Sequence, residues 1–288
     1  LGEDDIVIIP AFGTEVTTLE KLKSKGCQFV DTTCGDVMSV WKRVRTYAKN
    51  EVTSIIHGKV AHEETRATIS QATANNGHYL IVRHLDETDT VCEYIIKGGD
   101  KKAFLKQFEG NYSVGFDPDQ HLRAVGVANQ TTMMRNETEE VQRRIKAAIV
   151  QRFGEENVED HFRFFDTICG ATQERQDALG TLLKQPLDLL LVIGGYNSSN
   201  TSHLAEMGES IVPTYFIKNA DELTDAQLIR HWNQHTHEVV ETRDWLPDDI
   251  LTVGITAGAS CPNNLIEDVI CRLLELRGAS AKEFISSN

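Results

Sequence analysis

Residues 31–35 read Asp-Thr-Thr-Cys-Gly, and residues 166–170 read Asp-Thr-Ile-Cys-Gly. Each copy follows a short apolar run, residues 27–30 in one case and 162–165 in the other, and each precedes a stretch with helical periodicity. The pattern predicts that Cys34 and Cys169 both stand where a strand hands over to a helix. They are too far apart for a local zinc knuckle and too alike in surroundings for chance. We read them as two thiols converging on one buried cofactor, with the rest of the chain building a small-molecule site against it.

Working outward, apolar runs at residues 6–12, 27–33, 53–57, 79–82, 123–128, 162–165, 187–193, 212–217 and 251–255 predict strands, with 6–12 and 187–193 buried. Helical periodicity is expected over 17–25, 37–50, 65–74, 86–94, 101–108, 137–153, 172–184 and 262–275, and a further helix starts near Thr201. Strands alternate with helices throughout, which argues an α/β fold with mostly parallel sheets in more than one module. Such folds hold ligands at the carboxyl ends of their strands. Nearly every polar cluster of note here lies at one of those ends.

The bulk numbers set limits. With 288 residues, 40% of them hydrophobic, there is material for two or three packed modules. The formal charge is −14, from 43 acidic and 29 basic residues, which argues against a nucleic-acid partner. Mean hydropathy is −0.31. The longest apolar run, 187–193, is interrupted by Asp188 and falls short of the roughly 20 residues of a membrane span, so no membrane partner is expected. Six cysteines without a C-x-x-C pair point to a reducing compartment, the cytoplasm, rather than to a disulfide scaffold. The chain opens on Leu1 and runs straight into a strand, so an upstream segment is expected.

Several clusters can carry chemistry. Gly194-Gly195 followed by Ser198, Ser199 and Asn200 before a helix favours a phosphate site built from helix N–H groups and side-chain donors. The competing reading is a plain N-cap. Thr256 to Ser260 repeats the logic before the last helix, and residues 129–132 are a third strand end rich in donors. Two or three such sites suit a diphosphate. His62 and Glu64 follow a strand; they are either ordinary first-turn residues or a proton-delivering pair, and His57 orders the loop. Cys27, Cys92 and Cys271 read as core, and Cys261 is the one other cysteine at a strand–helix junction. Two thiols cannot make a structural zinc site, which takes four ligands. An iron–sulfur cluster on three thiolates fits better but needs one more cysteine. A cysteine-nucleophile phosphate-ester enzyme would need one activated thiol, not a matched pair. No G-x-G-x-x-G follows a strand, which argues against a nicotinamide or flavin enzyme.

Together, residues 31–34, 62–65, 129–132, 166–176, 194–204 and 252–262 resemble the 4-hydroxy-3-methylbut-2-enyl diphosphate reductase family, in its cyanobacterial and plant branch. The resemblance implies three similar α/β modules around a pseudo-threefold axis, the first incomplete: 1–35, 36–168 and 169–260, with 261–288 returning to the first. It implies a 4Fe–4S cluster with Cys34 and Cys169 as two of its three ligands and the third upstream of Leu1. Glu64 matches the family's proton donor, His62 a substrate-contacting histidine and Thr131 a threonine beside the reacting hydroxyl. Ser198, Ser199, Asn200 and Ser260 match the diphosphate-holding residues. The implied reaction is reductive dehydroxylation to isopentenyl and dimethylallyl diphosphates, with a ferredoxin or flavodoxin-type electron donor. Gly35-Asp36 departs from the proline usual after the family's cysteine. The alternative is an inactive diphosphate-binding homologue without a complete cluster.

Overall fold

The computed structural model describes residues 1–165 and 169–279. Residues 166–168 of the second Cys-Gly motif, and the expected C-terminal return beyond residue 279, lie outside them. The chain divides into two units, Leu1–Cys169 and Gly170–Asn288.

The first unit begins with β1 (Ile6–Ile9), α1 (Val16–Ser24), β2 (Gln28–Asp31) and α2 (Gly35–Lys49). It continues with β3 (Thr53–His57), α3 (Glu63–Thr73), β4 (Tyr79–Val82), α4 (Leu85–Lys97), α5 (Lys101–Gln107) and α6 (Pro118–His121). It ends with β5 (Val125–Asn129), α7 (Arg135–Phe153), α8 (Val158–His161) and β6 (Phe162–Phe164). β1 and β2 pair in parallel as a small sheet, and a second parallel sheet runs β4-β3-β5-β6. Strands β3 and β5 are buried at every position, as central strands covered on both faces must be. Alternation divides them: Ile55, Val125 and Val127 face a core with Val91, Ile95, Val141 and Ile145 of α4 and α7. Ile56 and Ala128 face Val40, Val44 and Tyr47 of α2.

The second unit contains α9 (Gly170–Leu182), β7 (Leu189–Ile193), α10 (Ser199–Glu209), β8 (Thr214–Ile217), β9 (Leu228–Asn233), β10 (Glu238–Arg243), β11 (Val253–Ala257) and α11 (Asn263–Leu276). Its sheet runs β10-β9-β8-β7-β11; β11, β7 and β8 are parallel, while β9 and β10 form an antiparallel edge. Leu190 and Val192 of β7 meet Leu179, Leu204 and Ala205 of α9 and α10. Leu189, Leu191 and Ile193 meet Val269 of α11 and Trp245.

Two expectations are corrected. Residues 6–12 do not form a buried strand: β1 stops at Ile9, and Ile6 and Ile8 are 68% and 67% exposed. Among the described residues β1 pairs only with β2, and no layer covers that face. The β9–β10 pair lies in a stretch where no strand was expected. Among the described residues, no helix is long and apolar enough to cross a membrane.

Candidate active site

In the first unit, β3 and β5 end side by side, with His57 opposite Asn129. The loops leaving them are fastened by Gln130. Its N–H donates to the His57 carbonyl (2.9 Å), and its Oε1 accepts from Lys59 N–H and Thr65 Oγ1 (both 3.2 Å). Its Nε2 donates to Thr132 Oγ1 at 2.7 Å. The approach is close: a Cβ on Gly58 would stand 3.0 Å from both Gln130 Cβ and Thr65 Oγ1. His57 is buried with its Nδ1 2.8 Å from Thr138 Oγ1, consistent with a role in ordering this strand end.

That fastening brings Glu64, in the first turn of α3, against Thr131. The Thr131 N–H donates to Glu64 Oε1 (2.5 Å) and its hydroxyl to Oε2 (3.0 Å). Glu64 is 2% exposed. Burial raises its pKa to about 7, outweighing the two Thr131 hydrogen bonds, which favour the carboxylate. The Thr131 carbonyl in turn accepts from the N–H of Cys169 at 3.2 Å. Glu64, Thr131 and Cys169 therefore form one hydrogen-bonded chain.

His62 is the N-cap of α3, where its Nδ1 accepts from the Glu64 N–H (3.2 Å). That bond assigns the ring proton to Nε2, and burial lowers the pKa, so the ring is neutral with an N–H donor to offer. The exposed Glu63 is its sequence neighbour, and only Glu64 turns inward. The adjacent acids of this first turn thus have separate roles, one solvated and one buried.

Cys34 sits at the N-cap of α2, half-buried, with its N–H bonded to the Ala11 carbonyl (2.8 Å). Asp31 shapes the approach by accepting from Thr33 N–H (2.9 Å) and hydroxyl (2.6 Å), which hold its carboxyl below the usual range. Cys34 and Cys169 are half-buried free thiols at strand–helix junctions, chemically suited to a soft metal centre. Among the described residues, no three of His, Cys, Asp and Glu group as a complete metal site. Cys261 packs against the core of the second unit, and burial pushes its thiol pKa up.

In the second unit, Ser198 caps α10. Its Oγ accepts from Thr201 N–H (3.3 Å) and Thr201 Oγ1 (2.9 Å). Thr201 is wedged where the β7 and β11 loops meet; a Cβ on Gly258 would stand 2.1 Å from its Oγ1. The next two residues differ from Ser198. Ser199 and Asn200 are 6% and 4% exposed, and Ser199 Oγ, Asn200 Nδ2 and Asn200 Oδ1 have no hydrogen-bond partner. Buried polar groups are paired in the great majority of cases, so three orphans side by side mark a place prepared for a ligand. Ser260 is exposed in the turn after β11, next to β7 in the sheet.

The sequence reading counted Gln130 only among the donors of residues 129–132, not as a fastening, and gave Gln176 no individual role. Gln176 is 7% exposed with an unpaired Nε2, and Gln173, one turn earlier on α9, has an unpaired Oε1. Two amides three apart in the helix after Cys169 were the available signal.

Comparisons with known proteins place the chain in a family. A family model described as LytB protein matches residues 1–274. The 4-hydroxy-3-methylbut-2-enyl diphosphate reductase of Gloeobacter violaceus is 50% identical over 279 residues, covering 96% of this chain and 66% of that protein. The enzyme of the same name from Thermosynechococcus vestitus is 48% identical over 277 residues, covering 96% and 68%. The chain thus spans about two thirds of the length of these curated relatives. A solved (E)-4-hydroxy-3-methyl-but-2-enyl diphosphate reductase, the terminal enzyme of the non-mevalonate pathway, superposes with a TM-score of 0.52 at 26% identity, covering 96% of this chain and 78% of its own. The Plasmodium falciparum reductase structure gives 0.67 at 20% identity, covering 97% and 71%, and supports the fold alone. By the family match and by relatives close to half identical, the chain belongs to the LytB family, alongside the cyanobacterial 4-hydroxy-3-methylbut-2-enyl diphosphate reductases.

Proposed function

We propose that the protein reduces 4-hydroxy-3-methylbut-2-enyl diphosphate to isopentenyl and dimethylallyl diphosphates. The reaction takes two electrons and two protons, breaks the allylic C–O bond and releases water. The observation that carries this reading is Glu64: a buried carboxylic acid that still holds its proton near neutrality and is hydrogen-bonded to Thr131.

Hydroxide is a poor leaving group, so C–O cleavage needs a proton delivered as the bond breaks. Protonated Glu64 supplies it. With the proton on Oε2, the Thr131 hydroxyl accepts from the acid and turns its own hydrogen outward, so Thr131 passes the proton on. His62, neutral and with Nε2–H free of the cap bond, donates a hydrogen bond to the substrate without adding charge. Ser199 Oγ–H and Asn200 Nδ2–H donate to diphosphate oxygens, Ser260 adds a hydroxyl, and Ser198 fixes the start of α10.

Cys34 and Cys169 would supply two thiolates to a 4Fe–4S cluster, the third being unassigned among the described residues. When bound, such a cluster would supply electrons and Lewis-acid assistance to C–O cleavage. A ferredoxin or flavodoxin-type protein is the proposed electron source, and the cytoplasm the proposed compartment.

The test is anaerobic purification of the full-length protein and its Glu64→Gln variant. The reading expects both to be brown and to bind the diphosphate, with only the wild type turning over. Loss of the iron absorbance in Glu64→Gln would make Glu64 structural. Diphosphate binding without turnover in the wild type would favour an inactive binding homologue.

A further inference from the structure

The β9–β10 hairpin contributes no strand end to the site, yet its side chains reach the anion loop at two points. Trp232 of β9 stacks on Tyr196, with ring centroids 4.9 Å apart and 17° between planes. Gln234, two residues on, donates from Nε2 to the Ser202 carbonyl at 2.8 Å. Trp232 lies near the end of β9 and Gln234 is the first residue of the turn that follows, so the two contacts come from adjoining parts of the hairpin. Tyr196 is further fixed edge-on against Phe216 (5.3 Å) and by its hydroxyl, which donates to Glu222 Oε1 at 3.1 Å. Glu222 is buried, and its Oε2 lies 3.8 Å from Nε of Arg230, again on β9. Ser199 and Asn200, with their three unpaired atoms, lie in sequence between the points pinned at Tyr196 and Ser202.

From this geometry we propose that the β9–β10 hairpin braces the 194–198 loop and the first turn of α10 in their anion-binding conformation, with Tyr196 as the positioning residue. The inference rests on the functional reading above. Tyr196 touches the loop's outer supports rather than the reacting groups, so it acts on affinity. A loop ordered in advance loses less conformational freedom when the ligand arrives, and donors held at fixed spacing bind more tightly. A stacked tyrosine suits the task because a large rigid ring is fixed by only two torsions. If the rings merely filled the core, their loss would lower stability and leave the affinity of the folded protein unchanged.

The test uses full-length protein, with inorganic pyrophosphate binding by calorimetry and steady-state kinetics on the diphosphate substrate. Tyr196→Leu and Trp232→Leu should each weaken pyrophosphate about five- to tenfold and raise KM alike, with kcat at saturation retained. Tyr196→Phe keeps the stack and should restore affinity to within about twofold of wild type. Gln234→Ala keeps both rings and should weaken binding about threefold, which decides the matter even if the leucine variants fail to fold. Wild-type affinity in Gln234→Ala, wild-type affinity in a folded leucine variant, or a fall in kcat at unchanged KM would overturn the brace. Failure of the wild type to bind pyrophosphate would overturn the functional reading beneath it.

Discussion

The Glu64 site and the 194–200 loop are both buried strand ends, yet they treat polar atoms in opposite ways. At Glu64 both carboxyl oxygens are engaged by Thr131, and the strain of burial appears as a raised pKa. At Ser199 and Asn200 the polar atoms are buried and left without partners. A group that must carry a proton is held by the protein itself. Groups that must hold a ligand are kept open for it.

The largest expected effect breaks the first half of that contrast. Glu64→Gln keeps the shape and the bond accepted from the Thr131 N–H, reverses the second so that its Nε2 donates to the Thr131 hydroxyl oxygen, and removes the transferable proton. It should lower kcat by about 10²–10⁴-fold at nearly unchanged KM, measured under single-turnover conditions with a chemical reductant.

The second effect is on stability against pH. Glu64 keeps its proton up to about pH 7 in the folded chain but releases it near its usual value of 4.5 when unfolded. The folded state therefore holds more protons inside that window. Its contribution is complete below about 4.5, declines through the window and is flat above about 7, a loss of order 3 kcal/mol. Denaturant titrations of wild type against Glu64→Gln across that range should show the decline in the wild type alone.

The third concerns the open half. Ser199→Ala removes a buried hydroxyl that has no partner, so the ligand-free protein should gain about 1 kcal/mol while KM rises about tenfold. Thermal unfolding with and without pyrophosphate separates the two. A loss of stability in the ligand-free variant would mean the hydroxyl was already paired. The smallest effect is at the fastening: Thr65→Val deletes the long bond to Gln130 Oε1 and should cost about 0.5–1 kcal/mol, read by the same unfolding measurement.

Much of this was legible from sequence because buried parallel strands are continuous apolar runs. β3, β5 and β7 are buried at every position, and the polar residues just past them are the site candidates. The β9–β10 hairpin was not legible. Arg230, His231, Glu238, Glu241 and Arg243 give it an edge strand's polarity, and its turn, with His237 at φ 55°, carries no Asn-Gly or Gly-Gly pair. β1 misled in the other direction: an apolar run states what a strand is made of, and burial depends on what lies against it. Ser198, Ser199 and Asn200 looked equivalent in a row. Only the start of α10 makes the first a cap and turns the next two inward. Likewise, nothing in Glu63-Glu64 says which carboxyl will be buried.

The central claim is that Glu64 is a neutral acid at rest. Infrared difference spectroscopy of wild type against Glu64→Gln tests it most directly, through the protonated carboxyl stretch that Glu64 alone contributes. That band should be present in mildly acidic buffer and titrate away around pH 7. Its absence throughout would show Glu64 to be a resident carboxylate and contradict its role as the proton source.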